Sequence, residues 1–263
     1  MTELRGARVL LTGASGGLGR AIAVALEQQG ARLILTGRRA EAVEALAAEV
    51  GGRSIVADLA VRADLERLLA EAGELDVLVA NAGVPASGDL GDWTQEQIDR
   101  ALEVNLASPI AMTRALLPRF RERRSGHFVY ISSLSGKVGT RGAPLYSATK
   151  FGLRGFAAAL RSDLHGSGLG CSVISPGFVR DAGMFAKTGA PLPVGIGTVT
   201  PGAVSAAVVR AIRSDKAEID VAPLPLRLGA LLGGLLPGPS AAFQAIMGNG
   251  FSRQVVDAQR HTR

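Results

Sequence analysis

Residues 8–30 read RVLLTGASGGLGRAIAVALEQQG. The opening RVLLT (8–12) carries a short apolar run, the signal of a strand covered on both faces. Residues 17–29 are rich in Ala and Leu, with Leu18, Ile22 and Leu26 at helical spacing, and Gly30 is a helix stop. Gly13, Gly17 and Gly19 punctuate the turn between the two. Outward from here the same alternation repeats. Strands are expected at 32–36, 53–57, 76–80, 126–131, 171–175 and 218–221. Helices are expected at 40–50, 62–72, about 94–105, 109–124, from near Tyr146 to His165, and at 201–213. Strands separated by helices imply a doubly wound α/β fold: a parallel sheet, helices on both faces, right-handed crossovers. No Pro/Gly/Ser linker, internal repeat or low-complexity segment divides the chain, so residues 1–263 are read as a single domain.

Composition narrows the classes. Hydrophobic residues make up 47% of the 263 residues and charged residues 20%, and mean hydropathy is +0.25, which excludes intrinsic disorder. The 34 glycines follow no G-X-Y period, which excludes collagen. Aromatics are only 4%, so the core must be aliphatic. A single cysteine, Cys171, allows no intramolecular disulfide and suits a reducing compartment. The net charge is +6, but the basic residues are scattered apart from Arg119, Arg121, Arg123 and Arg124. That group reads as a solvated helix end. No recognition motif accompanies it, so no nucleic-acid partner is expected.

Residues 1–13 lead straight into a strand, so no signal peptide and a cytoplasmic location are expected. The greasiest stretch, 221–237 (VAPLPLRLGALLGGLLP), falls short of the roughly 20 residues a spanning helix needs. Pro223, Pro225 and Arg227 also break it. It reads as a buried or greasy surface element, with no integral membrane span.

The glycines of TGASGGLG (12–19) permit a sharp strand-to-helix turn and close backbone approach to a pyrophosphate, which the helix N-terminus then holds. Gly13, Ser15, Gly17, Leu18 and Gly19 are the candidate loop residues. The end of the second strand separates the two dinucleotides. An NAD site usually places an acid there for the ribose 2′-hydroxyl. Here the sequence is Thr36-Gly37-Arg38-Arg39. Arg38, about 20 residues past the glycines, can pair bidentately with a 2′-phosphate. NADP(H) is therefore the expected cofactor, with NAD(H) as the alternative.

Tyr146-Ser147-Ala148-Thr149-Lys150 opens the long helix, and positions i and i+4 share a helical face. A tyrosine of ordinary pKa near 10 is a poor acid/base at neutral pH. An ammonium nearby lowers that value. Ser133 ends the preceding strand, where its hydroxyl can hydrogen-bond a substrate carbonyl. Active sites of open α/β sheets lie at this carboxyl edge.

With these motifs the chain resembles the short-chain dehydrogenase/reductase family, in its compact branch with a Rossmann-like fold. The resemblance spans about residues 6–222. It rests on TGASGGLG, NAG at 81–83, Asn105, Ser133, YSATK at 146–150 and Pro176-Gly177. It implies a carbonyl/alcohol oxidoreductase with Tyr146 as acid/base. Lys150 would lower the tyrosine's pKa and bind the nicotinamide ribose, and Ser133 would orient the carbonyl. Asn105 would hold a water that relays protons to Lys150. Asp58 and Leu59 would flank the adenine, and Asn81, Ala82 and Gly83 would border the cofactor. Pro176, Gly177 and Val179 would line the nicotinamide. It also implies a homodimer or homotetramer built through the helices at 109–124 and 146–165. The sequence departs from the family pattern at three places. Ala80 replaces the first asparagine of NNAG, Gly16 replaces a frequent basic residue or serine, and Asp181 stands where a threonine usually follows Pro-Gly.

Other polar residues read as structural. His127, His165 and His261 are scattered, and no metal site is expected. Cys171 reads as a buried strand residue, and Trp93 as a packing anchor. Substrate would meet the loops at 85–93, 134–145 and 178–199, the last forming the substrate loop (178–200) ahead of a C-terminal extension (223–263). These loops are rich in Gly, Pro and Leu, which points to a lipophilic carbonyl or alcohol. Lys137, Arg141 and Arg180 read as solvated, though they would allow an anionic tail such as an acyl thioester carrier. Two further readings stay open: a silent dinucleotide-binding sensor, and a membrane-peripheral enzyme acting on lipids.

Overall fold

The fold is described from a computed structural model, for residues 2–186 and 197–239. Seven strands form one parallel sheet in the order β3-β2-β1-β4-β5-β6-β7. They are β1 (Arg8–Thr12), β2 (Arg32–Gly37), β3 (Arg53–Val56), β4 (Val77–Ala80), β5 (Gly126–Ile131), β6 (Leu169–Pro176) and β7 (Glu218–Val221). The helices are α1 (Gly17–Glu27), α2 (Ala40–Glu49), α3 (Arg62–Ala72), α4 (Gln95–Leu102), α5 (Ser108–Arg123), α6 (Pro144–Asp163), α7 (Gly183–Ala186), α8 (Pro201–Ser214) and α9 (Leu224–Leu235).

The period of two along each strand sorts the core into two layers. Val9, Leu11, Leu33, Leu35, Val77 and Val79 face one side and meet Ile22 and Leu26 of α1 and Val204 and Val208 of α8. Leu10, Ile34, Leu78, Phe128 and Tyr130 face the other and meet Leu65 of α3, Met112 and Leu116 of α5 and Leu153 of α6. Sequence register alone thus decides which helix each side chain meets.

The strand order reverses between β1 and β4, whose carboxyl ends open the crevice where such sheets bind ligands. Two departures from expectation bear on that crevice. The expected break between helices at 94–105 and 109–124 is absent: α4 runs into α5 through one π-helical turn, Glu103–Ala107, that carries Asn105. Extra-residue turns of this kind often mark functional sites. The 221–237 segment is helical over α9, which the prolines concealed. Pro225 lies in the first turn of that helix, where its missing N–H costs nothing. Of the expected substrate loop and C-terminal extension, residues 187–196 and 240–263, with His261, lie outside the described residues.

Candidate active site

The glycine loop is built for close approach. Gly13 has φ +67°, and a Cβ there would lie 2.7 Å from Ala82 Cα. A Cβ on Gly19 would collide with the Gly13 carbonyl oxygen. Helix α1 starts behind a glycine N-cap, Gly16, with no side-chain cap and no acid in its first turn. The N-terminal dipole therefore faces the crevice without an internal anion, and the residues present fit a pyrophosphate. Thr12 closes the floor: its Oγ1 accepts from the backbone N–H groups of Asn81 (3.1 Å) and Ala82 (3.0 Å). The Asn81 amide returns a bond to the Thr12 carbonyl at 2.9 Å. Sequence reasoning gave Thr12 no role, although it heads the TGASGGLG motif.

The end of β2 lies against this loop, since a Cβ on Gly37 would sit 2.9 Å from Ser15 Oγ. Arg38 and Arg39 are both exposed there. The Arg39 guanidinium donates to the Ser15 carbonyl. The Arg38 charge acts on Asp58. The Asp58 carboxylate accepts from Arg100 at 2.8 Å and from the Ala60 N–H at 3.0 Å. Burial pushes this carboxyl up, but the Arg100 and Ala60 hydrogen bonds outweigh it and hold it below its ordinary value. Next to it, Leu59 is buried and its carbonyl accepts from Ser108 Oγ at 2.5 Å.

At the ends of β4 and β5 the remaining candidates converge. Asn105 is buried, accepts from Val84 N–H at 2.7 Å and donates to the Val84 carbonyl at 3.1 Å. A Cβ on Gly83 would lie 3.3 Å from Asn105 Oδ1 and 4.0 Å from Lys150 Nζ. Lys150 is 4% exposed and donates to the Ile131 carbonyl at 2.9 Å. Its Nζ stands 5.6 Å from the Tyr146 ring centroid. The Ser133 hydroxyl hydrogen-bonds Tyr146 and accepts from Ser135 N–H at 3.1 Å. The first turn of α6 is held by the Tyr146 N–H to Ala86 carbonyl bond at 3.1 Å. Ser132 Oγ donates to the Lys150 carbonyl at 3.2 Å. A Cβ on Gly136 would meet that carbonyl at 2.7 Å, so only glycine lets this turn seat against α6.

Burial and a hydrogen bond act in opposite directions on Tyr146, a partly exposed residue. Burial pushes the phenol up to about 12, with the Ser133 hydrogen bond as the opposing pull. The ammonium points to the Ile131 carbonyl and is itself pushed down to about 8 by burial. At neutral pH this arrangement presents a protonated tyrosine beside a charged lysine.

The segment after β6 folds over the glycine loop. Val179 pairs with Val199, and Arg180 N–H donates to the Val199 carbonyl at 3.0 Å. Asp181 adopts φ +62°, a left-handed conformation that Asp tolerates better than the β-branched threonine usual there. This places Ala182, whose Cβ would be 3.0 Å from a Cβ on Gly17. Met184 reaches the cluster of Asn105 and Lys150, its Cε 3.2 Å from a Cβ on Gly83. Pro176 ends β6 and Gly177 donates its N–H to the Val221 carbonyl at 3.0 Å. Neither Ala182 nor Met184 carried a sequence signal, because the tight turn at Asp181 decides their position.

Three smaller readings are settled. Lys137 is not solvated: it is 15% exposed and paired with Asp220 at 2.7 Å and Glu218 at 3.1 Å, so it is already neutralised. Cys171 is buried, with its thiol pushed up to about 12 by burial, which suits packing rather than nucleophilic attack. Trp93 packs with Val84, Ile98 and the Tyr146 ring around Ala86, Ala101 and Leu145. Among the described residues, no group of His, Cys, Asp and Glu is arranged to hold a metal ion, and no helix is long and apolar enough to cross a membrane.

The chain matches the short chain dehydrogenase family over residues 7–193. It is 38% identical to the ketoacyl reductase HetN of Nostoc sp., over 86% of this chain and 82% of that one. It is 36% identical to dehydrogenase/reductase SDR family member 7B of Mus musculus, over 67% of this chain and 59% of that one. Among solved structures it resembles the closed form of a serine dehydrogenase complexed with NADP+, at TM-score 0.74 and 31% identity, covering 83% of this chain and 95% of that one. A short-chain dehydrogenase from Sphingobium yanoikuyae in complex with NADPH aligns at TM-score 0.76 and 27% identity, covering 92% and 96%. The chain belongs to the short-chain dehydrogenase/reductase family. It is an oxidoreductase on a seven-stranded, Rossmann-like parallel sheet.

Proposed function

We propose that this oxidoreductase uses NADP(H) to interconvert a lipophilic carbonyl and its alcohol. The observation that carries this reading is the meeting of Ser133, Tyr146 and Lys150 with Asn105 at the carboxyl edge of the sheet. When bound, the nicotinamide supplies or accepts the hydride. Ser133 holds the carbonyl oxygen beside the Tyr146 hydroxyl. Tyr146, protonated at neutral pH, donates its proton to that oxygen. Lys150, fixed on the Ile131 carbonyl, binds the ribose and keeps a positive charge next to the phenolate that proton donation leaves. Asn105 pins the loop after β4 and holds the water that links Lys150 to solvent.

Arg38 and the missing acid after β2 support NADP(H), since the exposed guanidinium is available to a 2′-phosphate. The cytoplasm suits a chain whose single cysteine is buried and unpaired. The name of the Nostoc relative supports a ketoacyl substrate, which also suits the apolar loops around the site. A silent sensor is the weaker reading, because all four polar groups of the reaction are present together. The test is a panel of ketones, ketoacyl thioesters, aldehydes and secondary alcohols with NADPH and NADH, read by nicotinamide absorbance. Turnover of lipophilic carbonyls with NADPH is expected, and no turnover of any carbonyl or alcohol class would leave the sensor reading. We also propose a homodimer or homotetramer through α5 and α6, a two-fold arrangement usual for soluble oligomers. Light scattering at micromolar concentration is expected to give at least the dimer mass, and a monomer mass refutes it.

A further inference from the structure

Helix α9 has two unlike faces. Leu226, Ala230 and Gly233 turn inward. Leu226 Cδ1 would lie 3.7 Å from a Cβ on Gly177, and Leu134 Cδ1 3.6 Å from the same point. A Cβ on Gly234 would lie 2.7 Å from the Lys137 carbonyl oxygen, so the helix seats closely on the turn that follows Ser133. The outer face carries Leu224, Leu228, Leu231, Leu232 and Leu235, which are 50–69% exposed, with Leu236 just beyond at 56%. At 100° per residue these five leucines fall on one stripe about 100° wide. This is the chain's concentration of exposed large apolar side chains: outside α9 and Leu236, only Val61, Leu90, Leu102 and Phe151 are comparably exposed among the described residues. An apolar stripe of this kind marks an interaction surface.

Charge distinguishes among occupants. Among the described residues after Asp220, up to residue 239, the one charged side chain is Arg227. The whole chain has a net charge of +6. Arg227 flanks the leucine stripe and is exposed. With Arg227 and no acid on α9, a second copy would bring like charges together, whereas an anionic surface attracts this face. We propose that the outer face of α9 docks on an anionic phospholipid membrane, with the leucines entering the headgroup boundary and Arg227 at the lipid phosphates. The helix then lies flat in the interface, one layer from Ser133. No spanning segment is involved. Membrane docking of this kind can be read without any substrate.

The experiment is flotation of the full chain with vesicles of phosphatidylcholine alone or mixed equally with phosphatidylglycerol. The wild type is expected to float with the anionic vesicles, and added salt is expected to weaken this. Replacing Leu228, Leu231 and Leu235 together by Glu is expected to reduce partitioning by about tenfold or more, with the melting temperature unchanged. Replacing the same three by Ser keeps the test valid if the charged variant misfolds, and is expected to lose partitioning to a smaller extent. Absence of flotation, equal flotation with both vesicle types, or flotation that survives both triple variants overturns the proposal. A wild type that does not float but is a dimer split by the Ser variant assigns the face to a second copy instead.

Discussion

Arg8 and Arg161 at the amino edge of the sheet and Lys150 at the carboxyl edge are held in different ways. At the amino edge Arg8 and Arg161 are each paired with a carboxylate. The Arg8 backbone N–H and guanidinium both donate to Asp76, at 2.8 to 3.1 Å. Arg161 grips both oxygens of Asp215, at 2.8 and 2.9 Å. Burial pushes the Asp76 carboxyl up, but the bonds from Arg8 outweigh it and hold it below the ordinary value. At the carboxyl edge Lys150 is almost fully buried, and its hydrogen bond goes to a neutral carbonyl. A charge held this way opposes folding, and such sites persist where the charge is needed for chemistry. Arg8 and Arg161 thus gain from their partners, while Lys150 carries a burial cost.

Tyr146→Phe is expected to have the greatest consequence. The ring's packing against the cluster of Ala86, Ala101 and Leu145 stays and the proton is lost, so turnover should fall by about 10²–10⁴-fold while the melting temperature holds. Retention of most wild-type turnover would place the chemistry elsewhere. Next is Lys150→Met, which should abolish turnover yet stabilise the fold. Burial lowers this amine from 10.5 to about 8. The native state then binds fewer protons than the unfolded chain between these values, so stability rises with pH through that window and the penalty is complete below it. At pH 7 the variant should be more stable by about 1–3 kcal/mol, after loss of the Ile131 bond. That gain should shrink as pH rises from 8 to 10.5. Denaturant midpoints at pH 7 and pH 10 check both statements, and a destabilised variant at pH 7 contradicts them.

The amino edge has its own exception. His127 is fully buried, with Nε2 2.8 Å from Ser172 Oγ and an Nδ1 that finds no hydrogen-bond partner among the described residues. Burial lowers it from 6.5 to about 4. Its neutral form is native, so its contribution is whole above pH 6.5 and is lost as pH falls toward 4. Stability should decline by up to about 3 kcal/mol across that window. Most of the window lies above the ordinary carboxylate values of 3.8 and 4.5, where the paired acids still hold. A His127→Gln variant should flatten the slope, and an unchanged slope assigns it to other groups. The smallest effect is at Arg38. Arg38→Asp should cost NADPH about 10–100-fold in affinity by removing a bidentate charge-assisted contact, and should reverse the preference toward NADH. Equal binding of both dinucleotides by the wild type would remove the premise.

Alternating strand and helix signals, the order of the glycine loop, Ser133 and YxxxK, and the two apolar periods were all legible in the chain. Each is a local pattern that needs only a few neighbouring residues to express it. Hence all seven strands occur where expected, within about two residues at either end. The sequence also located Arg38, because its distance from the glycines is counted along one β-α-β unit. What it could not determine depends on residues far apart in the chain. The π turn that carries Asn105 is decided by packing between α4 and α5, and helix α9 by its seat on the turn after Ser133. The neutralised Lys137 depends on β7, eighty residues away in sequence. The balance of forces on Tyr146 depends on distant residues for the same reason. The i, i+4 spacing puts an ammonium near the ring, but only the tertiary fold turns that ammonium to the Ile131 carbonyl and sets how deeply the phenol is desolvated. Spacing along a helix determines which groups are neighbours. Burial and the partners brought from other strands determine what charge those groups carry.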